Sequence, residues 1–288
     1  HGGIECDLTA ARIADDEYYI VTGTGFATHD FDWIARNIPA GLEATLKDVT
    51  DDWSVLVLMG PKSRSILQGL TEDDLSNNDF PFGTVRTIAV AGRAVRAMRI
   101  TYVGELGWEL HLPVADAAAV YDALMQAGRT EGLVNAGYRA LETCRLEKGY
   151  RAWGSDIGPD HTPVEAGLAW AVKIGGQVDF CGRAAVERQL AEGVRKMLVC
   201  FVPDDPETVL LGRETIYRNG ERAGWLTSGG FGHTVGKAIG LGYVRNRNGV
   251  DAAYVSAGAY ELDVGGRRVP CTPHLAPLYD PHGIRVRN

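Results

Sequence analysis

Long apolar runs are missing from this 288-residue chain. None approaches the roughly 18 residues of a membrane-spanning helix, and no leader of the secretory type is visible. Basic clusters are missing too. With a net charge of −8 and a pI near 5.4, general nucleic-acid binding is disfavoured. Cysteine is scarce and odd in number: Cys6, Cys144, Cys181, Cys200 and Cys271, with no C-x-x-C pair. That is the pattern of reduced thiols in an intracellular protein. The histidines form no H-E-x-x-H or other paired spacing, so no protein metal site is expected. No G-x-S-x-G elbow supports a serine hydrolase. The stretch GTGFAT, Gly23–Thr28, lacks the third glycine and the βαβ frame of a dinucleotide site. In GGFGHTVGKA, Phe231 stands where a phosphate loop needs glycine, and Ala238 follows Lys237 in place of Ser or Thr. No internal repeat or low-complexity segment is evident.

What is present is ordinary globular composition: 45% hydrophobic and 23% charged residues. At roughly 150 residues per domain, about two domains are expected. The opening residues, His1-Gly2-Gly3-Ile4, run straight into strand-like sequence without an initiator Met. This reads as the continuation of a longer chain.

Periodicity predicts strands at about Leu8–Ile13 and Tyr18–Thr22. A helix is predicted over Thr28–Ile38, with Thr28 at its N-cap and Phe31, Ile34 and Ile38 at helical intervals. WSVLVLMG is a continuous apolar run of strand length, and GPKSRSILQGL reads as a helix with Pro61 in its first turn. Consecutive strands are predicted through TVRTIAVAGRAVRAMRITYVGELGWELHLP, with Gly92 in a turn. Two helices follow, one ending at Gly128 and one stopped by Gly149. From Lys196 onward only short strands are predicted, AAYVSAG among them. Asn219-Gly220 and Gly265-Gly266 are two-residue hairpin signals there. A boundary is placed near residues 187–196, between an α+β part with antiparallel strands and a small β-barrel or sandwich.

One stretch resists that reading. ITYVGELGWELHLP, Ile100–Pro113, has strand composition yet holds two acids and two glycines. Glycine inside a strand marks a bulge or a close approach; here the approach expected is that of backbone to a flat ligand.

Four segments occur together: GGIECDLTAARI (2–13), ITYVGELGWELHLP (100–113), CRLEKGYRAWGSDIGPDHTPVEAGLAWAVK (144–173) and GWLTSGGFGHTVGKAIGLGYV (224–244). With DFCGRAA (179–185) and PLYDP (277–281), their order resembles the aminomethyltransferase (T-protein) family of the glycine cleavage system. ECDLT, TGTGFATHD, SGGFGHTVGK and PLYDP are most similar to the C-terminal folate-binding half of sarcosine and dimethylglycine dehydrogenases. The resemblance implies an α+β fold in a three-lobed, T-protein-like arrangement, with antiparallel sheets, helices and a C-terminal all-β barrel. Residues 1–190 would be a folate-binding domain truncated at its N-terminus, and residues 191–288 the barrel. The implied cofactor is tetrahydrofolate, with FAD only in an upstream domain.

The resemblance also implies roles. Glu105 matches the family's pterin-binding acid; a carboxylate can accept both donors on a pterin edge in a fork. The bland alternative is a turn acid facing water. Glu109 is read as structural or solvent-facing. Tyr102 lines the pocket or packs as a strand Tyr. Asp7 matches the acid placed near folate N10, where it can take a proton; Cys6 stands where the fuller family form has another acid. The alternative is an Asp at a strand end. Arg145 matches a ligand-contacting Arg suited to carbonyl and carboxylate oxygens, or is a surface ion-pair partner. Trp153 stands where the family often has Tyr and packs on folate or in the core. Glu165 and Ser228 are read as structural, Glu165 capping the turn at Thr162-Pro163. Phe26, His29 and His233 are lesser pocket candidates.

The implied activity is capture of the carbon of an oxidised N-methyl amine as 5,10-methylenetetrahydrofolate, beside an upstream flavin domain. The expected location is the cytoplasm in a bacterium, or the mitochondrial matrix in a eukaryote. The rival readings are a free-standing aminomethyltransferase, a folate-dependent S- or O-demethylase, and a non-catalytic folate-binding or scaffolding module.

Overall fold

The computed structural model describes residues 2–288. The chain divides into two compact units: Asp7–Gly137 with His282–Asn288, and residues 2–6 with Tyr138–Pro281.

The first unit opens with an antiparallel hairpin of β1 (Leu8–Arg12) and β2 (Tyr18–Thr22). Helix α1 spans Ala27–Asn37. It starts one residue earlier than Thr28 predicts: Phe26 is the N-cap and no side chain caps it. Then come β3 (Trp53–Met59), α2 (Ser63–Gln68), β4 (Val85–Val90), β5 (Arg93–Met98), β6 (Gly107–Pro113) and α3 (Ala117–Gly128). The four-stranded sheet has the order β3-β6-β5-β4, antiparallel throughout. Period-2 alternation on β6 sends Trp108, Leu110 and Leu112 into one core with Leu67, Val95 and Val120. Glu109 and His111 occupy the other face.

That other face carries a polar-aromatic cluster. The Arg96 guanidinium lies 4.3 Å from the Tyr19 ring centre and 4.6 Å from that of Trp53, a cation–π arrangement. His111 is fully buried there, its Nδ1 3.3 Å from the Tyr19 hydroxyl and its Nε2 3.4 Å from Glu109 Oε2. Burial is the main cause that pushes the Tyr19 phenol upward.

The sequence reading of 100–106 as strand needs correction. β5 stops at Met98, and 99–106 is a loop with Gly104 at φ 75°. Gly107 answers the close-approach question differently from the expected flat ligand. A Cβ there would clash with the Leu58 carbonyl oxygen and lie 2.9 Å from Met59 Cα, so the neighbouring strand requires the glycine. Gly107→Ala is expected to separate β3 from β6 and cost about 1–3 kcal/mol, the range for overpacking. Chemical denaturation checks this; an unchanged midpoint would show that the strands relax freely.

In the second unit, α4 (Tyr138–Glu147) and α5 (Arg183–Glu192) precede β7 (Val194–Pro203), β8 (Thr215–Arg218), β9 (Glu221–Gly232) and β10 (Lys237–Val250). Then follow α6 (Ala252–Ser256), β11 (Tyr260–Val264) and β12 (Arg267–His274). The six strands close into an antiparallel barrel, β10-β7-β12-β11-β8-β9. Along β7, Val199 and Phe201 pack in one apolar cluster with Ile216, Leu226 and Leu262. Leu198 and Cys200 pack in another, with Leu146 of α4. Both hairpin signals sit at strand turns, between β8 and β9 and between β11 and β12. The expected strand in AAYVSAG is instead α6, whose N-cap Asp251 accepts from Tyr254 N at 2.7 Å. A last helix, α7 (Ile284–Arg287), belongs to the first unit and was also not expected.

Candidate functional site

Three of the predicted residues fall in the first unit. Asp7 directly precedes β1. Solvent reaches part of its surface, yet the protein packed around its carboxyl raises its pKa above the ordinary value, and the charge of Asp30 adds to the rise. Asp30 is itself buried in α1; it accepts from Thr22 Oγ1 and lies 2.8 Å from His29 Nδ1. His29 thus sits in the first turn of α1.

Tyr102 and Glu105 lie in the loop between β5 and β6. The Glu105 side chain is about one-fifth exposed, with Arg285 Nη1 3.9 Å from its Oε1. The loop is pinned at both ends. Arg99 N donates to Thr84 O and Leu106 O accepts from Gly60 N, while the Ser63 hydroxyl donates to the same Leu106 oxygen at 3.0 Å. A carboxylate in such a loop is reachable and held.

Arg145 and Trp153 fall in the second unit. Arg145, at the end of α4, is 1% exposed, and Asp156 is 0% exposed. Arg145 Nη1 donates to Asp156 Oδ2 at 2.6 Å and to the Tyr150 carbonyl at 3.0 Å. Its Nη2 donates to Ser228 Oγ at 2.7 Å, and its Nε to Glu142 Oε1 at 3.0 Å. Trp153 Nε1 donates to the Ile4 carbonyl at 2.9 Å, so this ring is anchored by its own donor.

Asp156 is the residue that sequence reading missed. Besides Arg145 it accepts from Ala152 N at 3.0 Å, from Thr227 Oγ1 at 2.5 Å and from Ser228 Oγ at 2.8 Å. The Tyr243 hydroxyl donates to its backbone oxygen at 2.9 Å, and burial pushes that phenol upward. A neighbouring set of bonds ties further motif segments together. Glu147 Oε1 accepts from Thr234 N at 2.6 Å and Val235 N at 2.8 Å, and Lys148 pairs with Asp280 at 2.7 Å. Thr162 and Glu165 cap each other, Thr162 N donating to Glu165 Oε2 at 2.9 Å and Glu165 N to Thr162 Oγ1 at 3.3 Å. That is the capping-box pattern in a turn. Segments 144–173, 224–244 and 277–281 are therefore tied to one another by polar contacts. The buried Cys200 and Cys271 take no part in it; burial pushes each thiol up to about 12.

Among the described residues no helix is long and apolar enough to cross a membrane.

A mixed α+β unit and a closed six-stranded barrel, carrying these motifs, define an aminomethyltransferase-type fold. Residues 1–176 match the family model "GCVT N-terminal domain", and residues 196–280 match "Glycine cleavage T-protein C-terminal barrel domain". The chain belongs to the glycine cleavage T-protein family. The human mitochondrial sarcosine dehydrogenase is 40% identical over 302 residues, covering 99% of this chain and 33% of that protein. The chain thus spans about a third of the length of that relative. The aminomethyltransferase of Alkaliphilus metalliredigens is 33% identical over 264 residues, covering 92% of this chain and 69% of that protein. The glycine cleavage system aminomethyltransferase T of Bartonella henselae superposes with a TM-score of 0.83 at 26% identity, over 97% of this chain and 73% of that one.

Proposed function

We propose that the chain binds tetrahydrofolate and serves as the one-carbon transfer portion of an enzyme of the sarcosine or dimethylglycine dehydrogenase type. The observation that carries the reading is Glu105: a partly exposed carboxylate in a loop pinned at both ends. Its chemistry fits the group. A pterin edge offers an amino group and a ring N–H side by side, and a carboxylate accepts both in a fork. Tyr102 shares that loop. Folate supplies the nucleophilic nitrogen that takes the carbon from an oxidised N-methyl amine, giving 5,10-methylenetetrahydrofolate; the oxidation belongs to a flavin domain elsewhere in the full protein.

The protein's own part is to hold and to move a proton. Glu105 fixes the heterocycle. Asp7 is the general base, and its raised pKa brings it nearer the working pH than an ordinary carboxylate. Arg145 acts as an internal brace of the second unit through Asp156, and Trp153 as a ring anchored there by its own donor. Holding the acceptor in place while excluding water favours transfer over hydrolysis to formaldehyde.

Calorimetric titration with tetrahydrofolate tests this. Glu105→Ala is expected to weaken binding about 10- to 150-fold, the equivalent of a charged hydrogen-bonded contact worth about 1.5–3 kcal/mol. Absence of binding by the parent protein, or equal affinity in the variant, would overturn the reading.

A further inference from the structure

The loop that carries Glu105 begins at Arg99, whose situation is unusual. Arg99 is fully buried, and no carboxylate pairs with it among the described residues. A buried guanidinium without an anion must find carbonyl oxygens instead. Its Nη1 donates to Phe80 O at 2.6 Å, and its Nη2 donates to Arg287 O at 3.1 Å. Its Nε has no partner. Arg287 is the last residue of α7.

A second tie holds the same helix. Val286 is 4% exposed, so its apolar side chain is docked. Gly283, at φ 65°, turns the chain into α7. With the Arg287 carbonyl on Arg99 and Val286 buried, Arg285 is carried to 3.9 Å from Glu105. One loop thus holds the two ends of the arrangement: Arg99 anchors the helix, and Glu105 receives the side chain that the helix presents.

The pair is not there for stability. Arg285 is 55% exposed and Glu105 20%, and ion pairs in such surroundings add little. Nor is it a hydrogen bond, since 3.9 Å is too long. What a fixed cation beside a carboxylate does is restrict the carboxylate's orientation.

We infer that Arg285, on the C-terminal helix α7, is a positioning residue that orients Glu105 toward its heterocyclic ligand. The inference rests on the tetrahydrofolate reading above. It makes α7 part of the binding apparatus.

The test is a double-mutant cycle read by calorimetry on the protein, with Arg285→Ala, Glu105→Ala and their combination. Each is titrated with tetrahydrofolate and with a tetrahydropterin lacking the p-aminobenzoylglutamate tail. Arg285→Ala is expected to weaken both ligands about tenfold, and to add no loss once Glu105 is gone. Arg285→Lys keeps the charge and is expected to recover part of the affinity. Unchanged affinity in Arg285→Ala overturns the inference and leaves the folate reading intact. So does additivity with Glu105→Ala, or a loss seen only with the full folate; the latter would show Arg285 gripping the tail carboxylates. Failure of the parent protein to bind either ligand overturns the folate reading, and this inference with it.

Discussion

Asp156→Ala is expected to cost the protein about 3–5 kcal/mol, the range for breaking a buried ion pair by removing one partner, with Glu142 left as the remaining carboxylate on Arg145. Arg145 and Asp156 are 1% and 0% exposed, so water cannot replace what the carboxylate supplies. Four donors lose an acceptor at once, Arg145 Nη1, Ala152 N, Thr227 Oγ1 and Ser228 Oγ, though Arg145 Nη1 keeps the Tyr150 carbonyl and Thr227 Oγ1 the Leu241 carbonyl. With a urea slope of about 1–3 kcal/mol per molar, the midpoint falls by on the order of 1–5 M. Circular dichroism during urea titration reads this directly. Pairing Arg145→Met with Asp156→Leu restores part of the loss, because an apolar pair removes the orphaned charge. Full recovery is not expected, since Thr227 and Ser228 keep their hydroxyls. A midpoint drop corresponding to less than about 1 kcal/mol would show that the network is not what holds these segments.

Asp7→Asn is expected to lower turnover of the transfer reaction about 10²- to 10⁴-fold, the range for losing a general base. Tetrahydrofolate affinity should change little, because Asn keeps the shape and a hydrogen-bonding oxygen. The pH profile sharpens the test. Burial and then Asp30 both favour the neutral form of Asp7, so its folded pKa lies above the ordinary 3.8. The active, ionised form is therefore lost on acidification at a higher pH than for a free carboxylate. The acid limb of kcat/KM should sit above that value and vanish in Asp7→Asn. Asp30→Asn, which removes the second cause, should move the limb down. Linkage runs in the opposite direction. Stability contributed by Asp7 is present in full below its unfolded pKa and lost as pH rises through the raised folded value. Turnover unaffected by Asp7→Asn would remove the residue from the acid–base role.

The parts of the fold legible in the sequence are those with local signals. Alternation along Gly107–Pro113 predicts which residues face the core, because side chains change face at every step. Asn219-Gly220 and Gly265-Gly266 mark hairpins because such pairs tolerate the required turn. Composition misleads where context overrides it. Ile100, Tyr102 and Val103 favour a strand, yet the pinned ends at Arg99 and Leu106 make that span a loop. Val255 and Tyr254 likewise suggest a strand in AAYVSAG, whereas Asp251 caps a helix; the Asp three residues before Tyr254 was the available signal. Glu105 and Asp7 stand out only through family resemblance, since a lone acid near glycine has no spacing of its own. Asp156 was invisible for a plainer reason. Its partners Thr227 and Ser228 lie 71 and 72 residues away, and no local pattern encodes a bond of that span.

The bond from Arg99 to the Arg287 carbonyl spans 188 residues, and this sets the order in which the molecule can be finished during synthesis. The chain leaves the ribosome from its N-terminus, so residues 7–137 emerge long before the helix that completes their unit. Until residue 287 arrives, a guanidinium destined for burial has only Phe80 O and water. The strands of the first sheet can pair early, because their contacts are close in sequence, but a closure of such long range comes late. The barrel residues in between are all made during that wait. Helix α7 is thus a late clasp on the first unit, closed only after the barrel residues have been made.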